Sequence, residues 1–233
     1  MMKTMALPVA IVLLLAVTAI VNPLVAQESS VDEVKRINDA TIILEEIMGA
    51  SDKAVPRSII EKAEGIAVFP SMLKGGLVIG AQHGRGILSV RNKQTGEWSS
   101  PAFLSITGGS FGMQIGAQAI DLVLVVNGQR GLEQLVKNQF KIGADAAVAA
   151  GPVGRDASAS TDLQMRAAIL SYSRSRGLFA GVTLNGSTIR QDRDANERVY
   201  GIGYRTGQIV FDGMAGSPDA ATAWKAALAK YAQ

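Results

Sequence analysis

Residues 107–126 read TGGSFGMQIGAQAIDLVLVV, and this stretch decides the fold class. Apart from Asp121 it carries no charge, and none occurs upstream of it as far back as Trp98. Gly108, Gly112 and Gly116 recur at every fourth residue. On a strand such residues share one face, so they leave a bare stripe on a sheet. Glycine weakens a strand unless another backbone must approach it closely or the sheet must bend. The stretch therefore reads as a buried central strand pair with another element packed tightly against it. Its terminal run LVLVV is apolar on both faces, as expected for a strand covered on both sides.

The same spacing returns at Gly76, Gly80 and Gly84, and again at Gly177 and Gly181. Stripes on several strands argue for an α+β fold built on a strongly curved antiparallel β-sheet or a partly closed barrel. Residues 66–70 (IAVFP) form an apolar strand ending at proline, and 77–82 and 87–91 look like a pair of strands. A turn at 92–96 (NKQTG) follows, then a strand over 97–106. Further strands are expected at 168–176, 178–184 and 200–211. In the first of these Tyr172, Arg174 and Arg176 share one face, and Ser171, Ser173 and Ser175 the other.

Packing helices are expected at 131–140, at 192–199 and after Ser217-Pro218. Pro56 opens a short helix with Ile59, Ile60 and Ala63 inward. The N-terminal helix is placed at Ser30 to Gly49, since Ser30 and Glu33 have capping-box spacing and Gly49 suits a C-terminal stop. Val34, Ile37, Thr41, Leu44 and Met48 make its apolar face. The opposite face carries Asp32, Lys35, Arg36, Asp39 and Glu46, and with Glu33 and Glu45 the helix holds five acids against two bases, unlike the Lys/Arg-rich polar face of a helix that lies on anionic lipid.

Residues 1–26 read as a secretory signal: Lys3, an apolar run from Leu7 to Val21, and Leu24-Val25-Ala26 as the cleavage site. The alternative is an uncleaved anchor, although the apolar run is shorter than the roughly 20 residues of a bilayer span. Residues 27–233 suit one domain with a sizeable core. The formal charge of +3 gives nucleic-acid binding no support. The chain has no cysteine, so an exported form relies on packing rather than disulfides and carries no lipidated cysteine.

Little in the chain suggests catalysis. His83 is the one histidine, placed in a Gly-rich turn, so no histidine-based metal cluster can form. No GxSxG elbow occurs. GVTLNGST at 181–188 puts Ser187 where a phosphate-binding loop needs lysine, and Gly201-Ile-Gly203 lacks a third glycine at dinucleotide spacing. Asp121 and Asp145 lie in apolar surroundings, where a carboxylate is usually bonded to backbone or paired with arginine. No catalytic residue, metal or cofactor is assigned.

Charge placement is more informative. Residues 65–96 hold no acid but hold Lys74, Arg85, Arg91 and Lys93. Residues 163–191 hold no acid but hold Arg166, Arg174, Arg176 and Arg190. Brought together by a sheet, these blocks make a surface for phosphate headgroups, at about 1 kcal/mol per basic residue near an anionic membrane. The competing reading is dispersed solubility charge.

Four stretches carry a family resemblance: GIAVFPSMLKGGLVIG (65–80), the opening stretch, KIGADAAVAAGPVGR (141–155) and ILSYSRSRGLFAGVTLNGS (169–187). In this order they closely resemble the SYLF-domain family, over roughly residues 30–215. The resemblance implies a lipid-binding, non-enzymatic domain, with phosphoinositide links among eukaryotic members and actin binding in yeast. In those relatives a basic amphipathic N-terminal helix contributes to lipid contact. The helix here is net acidic, which shifts the expected contact to basic strands and loops. Actin binding is not carried over, because an exported bacterial-type protein does not meet actin and the SH3 and FYVE modules are absent.

The leading expectation is an exported protein of the bacterial cell envelope, periplasmic or membrane-peripheral, that binds anionic phospholipid reversibly. Lys74, Arg85, Arg91, Lys93, Arg174 and Arg176 would contact headgroups, with an apolar contact from Phe103 or Leu104. The alternative is a structural or protein-interaction module of the envelope without lipid contact. A hydrolase using an exposed serine and an aspartate is the weakest of the three.

Overall fold

The computed structural model describes residues 23–50, 55–76, 79–111, 116–145, 147–153, 167–175, 178–182, 184, 186–213 and 215–232. The expected signal at 1–26 falls mostly outside them, as do Gly112, Arg166, Arg176 and Gly177.

Among the described residues nine strands form one strongly curled half-barrel sheet: β1 (Gly65–Gly76), β2 (Ile79–Val90), β3 (Ala102–Phe111), β4 (Gly116–Val126), β5 (Gln139–Lys141), β6 (Val148–Ala150), β7 (Ile169–Ser175), β8 (Leu178–Gly181) and β9 (Ser187–Gln191). Their order is β5-β9-β3-β2-β1-β4-β7-β6, with β8 also on β7. The pairs are antiparallel except β6 with β7. The helices are α1 (Pro23–Gly49), α2 (Arg57–Glu61), α3 (Gln129–Leu135), α4 (Arg193–Tyr200), α5 (Thr206–Val210) and α6 (Ala221–Tyr231).

The opening stretch contributes two strands, and Leu122 to Val126 are buried on both faces as expected. The two strands are not neighbours, however. The β1–β2 hairpin, registered Gly76↔Gly80, stands between β3 and β4. A short hairpin closes the smallest loop and so pairs at the lowest entropic cost, leaving β3 and β4 to its two outer edges.

The expected strand pair at 77–82 and 87–91 is one continuous strand, β2. His83, Gly84 and Gly86 lie within it rather than in a turn. A Cβ on Gly86 would stand 2.4 Å from the Val68 carbonyl oxygen and 2.5 Å from the Phe69 ring, and one on Gly84 would stand 2.8 Å from Met72. These glycines admit neighbouring side chains at close range, which is what a tightly curled strand requires.

Two apolar layers sandwich the sheet. On one face, the α1 face, Ile37, Leu44 and Ile47 of α1, Ile60 of α2 and Trp224 of α6 pack on Val68, Ile87, Phe103 and Val123. On the far face Phe69, Met72, Leu88, Leu104, Leu122 and Ile189 form the second layer with α3 and α5. Phe103 and Leu104, expected as membrane contacts, are fully buried in these layers.

Other differences are local. The helix expected at 131–140 ends at Leu135, because Phe140 is buried in β5 against β9. No strand forms at 200–211: Tyr200 ends α4, Gly201 and Gly203 turn the chain at φ near +95°, and Thr206–Val210 form α5. The last helix begins at Ala221 rather than at Ser217-Pro218.

The described part of α1 already spans Pro23 to Gly49. Ser30 and Glu33 thus lie inside it rather than at its cap. Its buried side is also rotated from the expected one. Val34 is 41% exposed while Glu33 is 1% exposed. Glu33 accepts from Arg198 of α4 at 2.7 Å, and Arg36 pairs with Asp192, the α4 N-cap, at 2.9 Å. This ionic contact joins the apolar residues in seating the helix.

Candidate functional site

Alternation along the strands fixes which face each cation occupies. Arg85 and His83 precede Ile87 by two and four residues, so they lie on the α1 face, and both are exposed. Arg85 is registered with Ser105, and Ser105 with Arg190 of β9, which sets two arginines in one cross-strand row. Lys74 stands two residues beyond Met72 and so lies on the far face. It is registered with Gln82 of β2 and Gln118 of β4.

The row Gln82–Lys74–Gln118 forms a polar belt where the far-face core ends. Gln82 is buried and donates from Nε2 to the Ser187 hydroxyl, and Gln118 donates to the Ser175 hydroxyl. With both amides engaged by serines, the Lys74 ammonium has no ion pair among the described residues. Nor does the Arg85 guanidinium. Between them Leu73, on the α1 face, is 59% exposed. One end of the β1–β2 hairpin thus combines an exposed leucine with two unpaired cations and His83.

The other expected contacts are placed differently. Lys93 sits beyond the opposite end of β2 and pairs with Glu64 at 2.9 Å. Arg91 is nearby and donates to the Glu61 carbonyl at 3.1 Å. Arg174 is bound on both sides: to Asp121 of β4 at 2.7 Å and to Glu46 of α1. Arg176 lies outside the described residues. The described members of the set therefore do not form one basic surface. Acids from α1, β4 and the segment after α2 fold onto the acid-free blocks and neutralise part of them.

The Asp121 carboxylate also accepts from the Ser71 backbone N–H at 2.9 Å, inside a β1 bulge where Ser71 has φ +47°. Burial raises its pKa, the Ser71 bond opposes this, and the negative charge of Asp39 adds to the rise. Asp145 is exposed and accepts from the Lys141 backbone N–H at 2.6 Å. Both aspartates are thus occupied structurally. Among the described residues no group of three acidic, histidine or cysteine side chains could hold a metal ion. No described helix is long and apolar enough to cross a membrane.

A groove of about 320 Å³ runs along the α1 face beside this hairpin. Asp32, Lys35 and Asp39 of α1 form one wall, and Leu73, His83 and Arg85 form the other. Lys35 pairs with Asp39. The belt glutamines and the α1 wall went unremarked in the sequence. The available signal was an amide at Gln82 and at Gln118 in otherwise apolar, glycine-rich strands.

Comparison with known proteins bears on this geometry. A family model named Ysc84 and described as Las17-binding protein actin regulator matches residues 107–231. The human SH3 domain-containing YSC84-like protein 1 is 37% identical over 161 residues, covering 69% of this chain and 46% of that protein. The rat protein of the same name is equally identical over the same length. LAS seventeen-binding protein 3 of Saccharomyces cerevisiae is 34% identical over 159 residues, covering 67% of this chain and 34% of the yeast protein. The chain spans about half the length of the mammalian relatives it matches and about a third of the yeast one.

Proposed function

The chain belongs to the Ysc84/SYLF family, and from that premise we propose that it is a non-enzymatic domain that binds anionic phospholipid reversibly, acting at the bacterial cell envelope after export. The observation that carries this reading is the hairpin end where unpaired Lys74 and Arg85 flank exposed Leu73. Cations around one exposed apolar residue suit a headgroup layer: the charges meet phosphate and the leucine enters the interface. Each basic residue near an anionic surface contributes about 1 kcal/mol. Two such residues give weak, reversible attachment that added salt screens over a Debye length of about 8 Å at physiological ionic strength.

Flotation with vesicles tests this directly. Bound protein is expected to rise with the phosphatidylglycerol fraction and to fall with salt. Equal binding to neutral vesicles at high salt would overturn the reading.

A second reading, protein recognition, draws on a different observation. Val31, Val34 and Ile42 of α1 are exposed and fall on one side of that helix. The family description names Las17 binding and actin regulation, and an exposed apolar helix face suits a protein partner. A stable partner recovered on pull-down, lost on Val34→Ser with Ile42→Ser and independent of vesicles, would favour it.

A further inference from the structure

Past Phe103 on the α1 face, strands β2, β3, β9 and β5 turn a run of polar side chains outward. One cross-strand row holds Arg85, Ser105 and Arg190. The next row, two residues along, holds Thr107, Thr188 and Lys141. Ile106, Ile189 and Phe140 between them point into the far-face core, which fixes this alternation. Arg85, Arg190 and Lys141 are exposed, and their side chains have no ion pair or hydrogen bond among the described residues. The hydroxyls of Ser105, Thr107 and Thr188 are half-buried and also have no hydrogen-bond partner among the described residues. Acids border the patch without entering either row. Asp145 accepts from the Lys141 backbone N–H, and Asp192 pairs with Arg36. Asp32 and Asp39 stand across the groove from Arg85, on a wall they share with Lys35 and Arg36.

The composition of the patch narrows what it can hold. None of its six residues is aromatic or apolar, so it offers no platform for stacking nucleobases and nothing to enter a bilayer. Arg85 and Arg190 stand two strand spacings apart, about 10 Å, and Lys141 lies one strand and two residues from Arg190, about 8 Å. An extended chain rises about 3.3 Å per residue, so carboxylates two to three residues apart match these intervals. The hydroxyls between the cations both donate and accept, as a peptide main chain requires of its neighbours.

We propose that this patch binds an extended acidic protein segment laid across the strands, with carboxylates on Lys141, Arg190 and Arg85 and main-chain groups on the intervening hydroxyls. The two guanidinium forks each take a carboxylate through paired N–H donors. The site shares Arg85 with the hairpin end but adds Arg190 and Lys141, which are no part of it. It therefore does not rest on the headgroup-binding reading.

Fluorescence anisotropy of the full chain with a short labelled peptide of alternating Glu and Ser tests this. The peptide is expected to bind saturably and to lose affinity as salt rises, while a Lys and Ser peptide of equal length does not bind. Arg190→Gln with Lys141→Gln should weaken the acidic peptide by about fivefold, as two exposed ion pairs allow. Arg91→Gln with Lys93→Gln, an equal loss of charge beyond the opposite end of β2, should leave it near wild type. Flotation of the Arg190/Lys141 variant on phosphatidylglycerol vesicles should be unchanged.

Absence of saturable peptide binding, or equal weakening in both variants, overturns the proposal. Binding of a heparin oligosaccharide in place of the peptide overturns it in favour of an anionic glycan. Flotation lost in step with peptide binding returns the patch to the membrane contact and also overturns it. Peptide binding without flotation would keep the patch and sink the headgroup reading instead.

Discussion

Gly86 and Tyr172 show how closely single residues are fitted here. A methyl group on Gly86 would collide with the Val68 carbonyl, which cannot swing aside as a side-chain end could. Gly86→Ala is therefore expected to cost about 1–3 kcal/mol, read as a lower urea midpoint at unchanged slope. Wild-type stability in this variant would mean that the curl does not need the glycine.

The Tyr172 hydroxyl is buried without a hydrogen-bond partner among the described residues, and burial raises its pKa, as it does for Tyr200. Raised phenol pKa values add stability that is complete below the unfolded value near 10 and is lost as pH climbs above it. Denaturant midpoints should hold to about pH 9.5 and then fall, by up to about 1.4 kcal/mol per pH unit for each phenol. Tyr172→Phe should be near neutral at pH 7, since it removes an unsatisfied group, and should flatten the alkaline fall. An unchanged alkaline slope in this variant would contradict the assignment. The need for glycine was legible in the sequence through its four-residue spacing. Which glycines meet a neighbour's backbone was not, because that depends on register and curl.

Among the elements, α1 departs most from its sequence reading. Hydropathy periodicity sets Val34 inward and leaves Glu33 to a cap, yet Glu33 is buried against Arg198, and Arg36 against Asp192 and the Phe103 ring. Periodicity counts apolar residues and cannot see a charge that finds its complement on a helix about 160 residues away. Glu33→Gln should cost about 1–3 kcal/mol by leaving Arg198 and Arg36 short of their partner. Faster limited proteolysis within α1 should accompany the loss. Full stability with unchanged cleavage would show that the apolar face alone seats the helix.

The strands were more legible than the helices. LVLVV at 122–126 has no polar alternation to mislead, and the Tyr172/Arg174 face against the Ser171/Ser173/Ser175 face followed from alternation alone. The order β3-β2-β1-β4 was hidden, since adjacency in sequence suggested pairing and the intervening hairpin claimed both edges.

For the molecule as a whole, the acid-free blocks of sequence were real but did not translate into one cationic face. Glu46 and Asp121 close on Arg174, and Glu64 closes on Lys93, from elements the blocks do not contain. Lys74 and Arg85 have no ion pair among the described residues and lie on opposite faces of the same hairpin end. That end, rather than a broad platform, is where the proposed membrane contact concentrates.

The most direct measurement is flotation on phosphatidylglycerol-containing vesicles at low and physiological salt, with two variants of equal net charge. The Lys74→Glu/Arg85→Glu protein is expected to lose most of its salt-sensitive binding. The Arg91→Glu/Lys93→Glu protein, altered at the opposite end of β2, is expected to keep most of it. Equal loss in both would reduce the attachment to net charge alone, and undiminished binding of the first would remove the hairpin end from the contact.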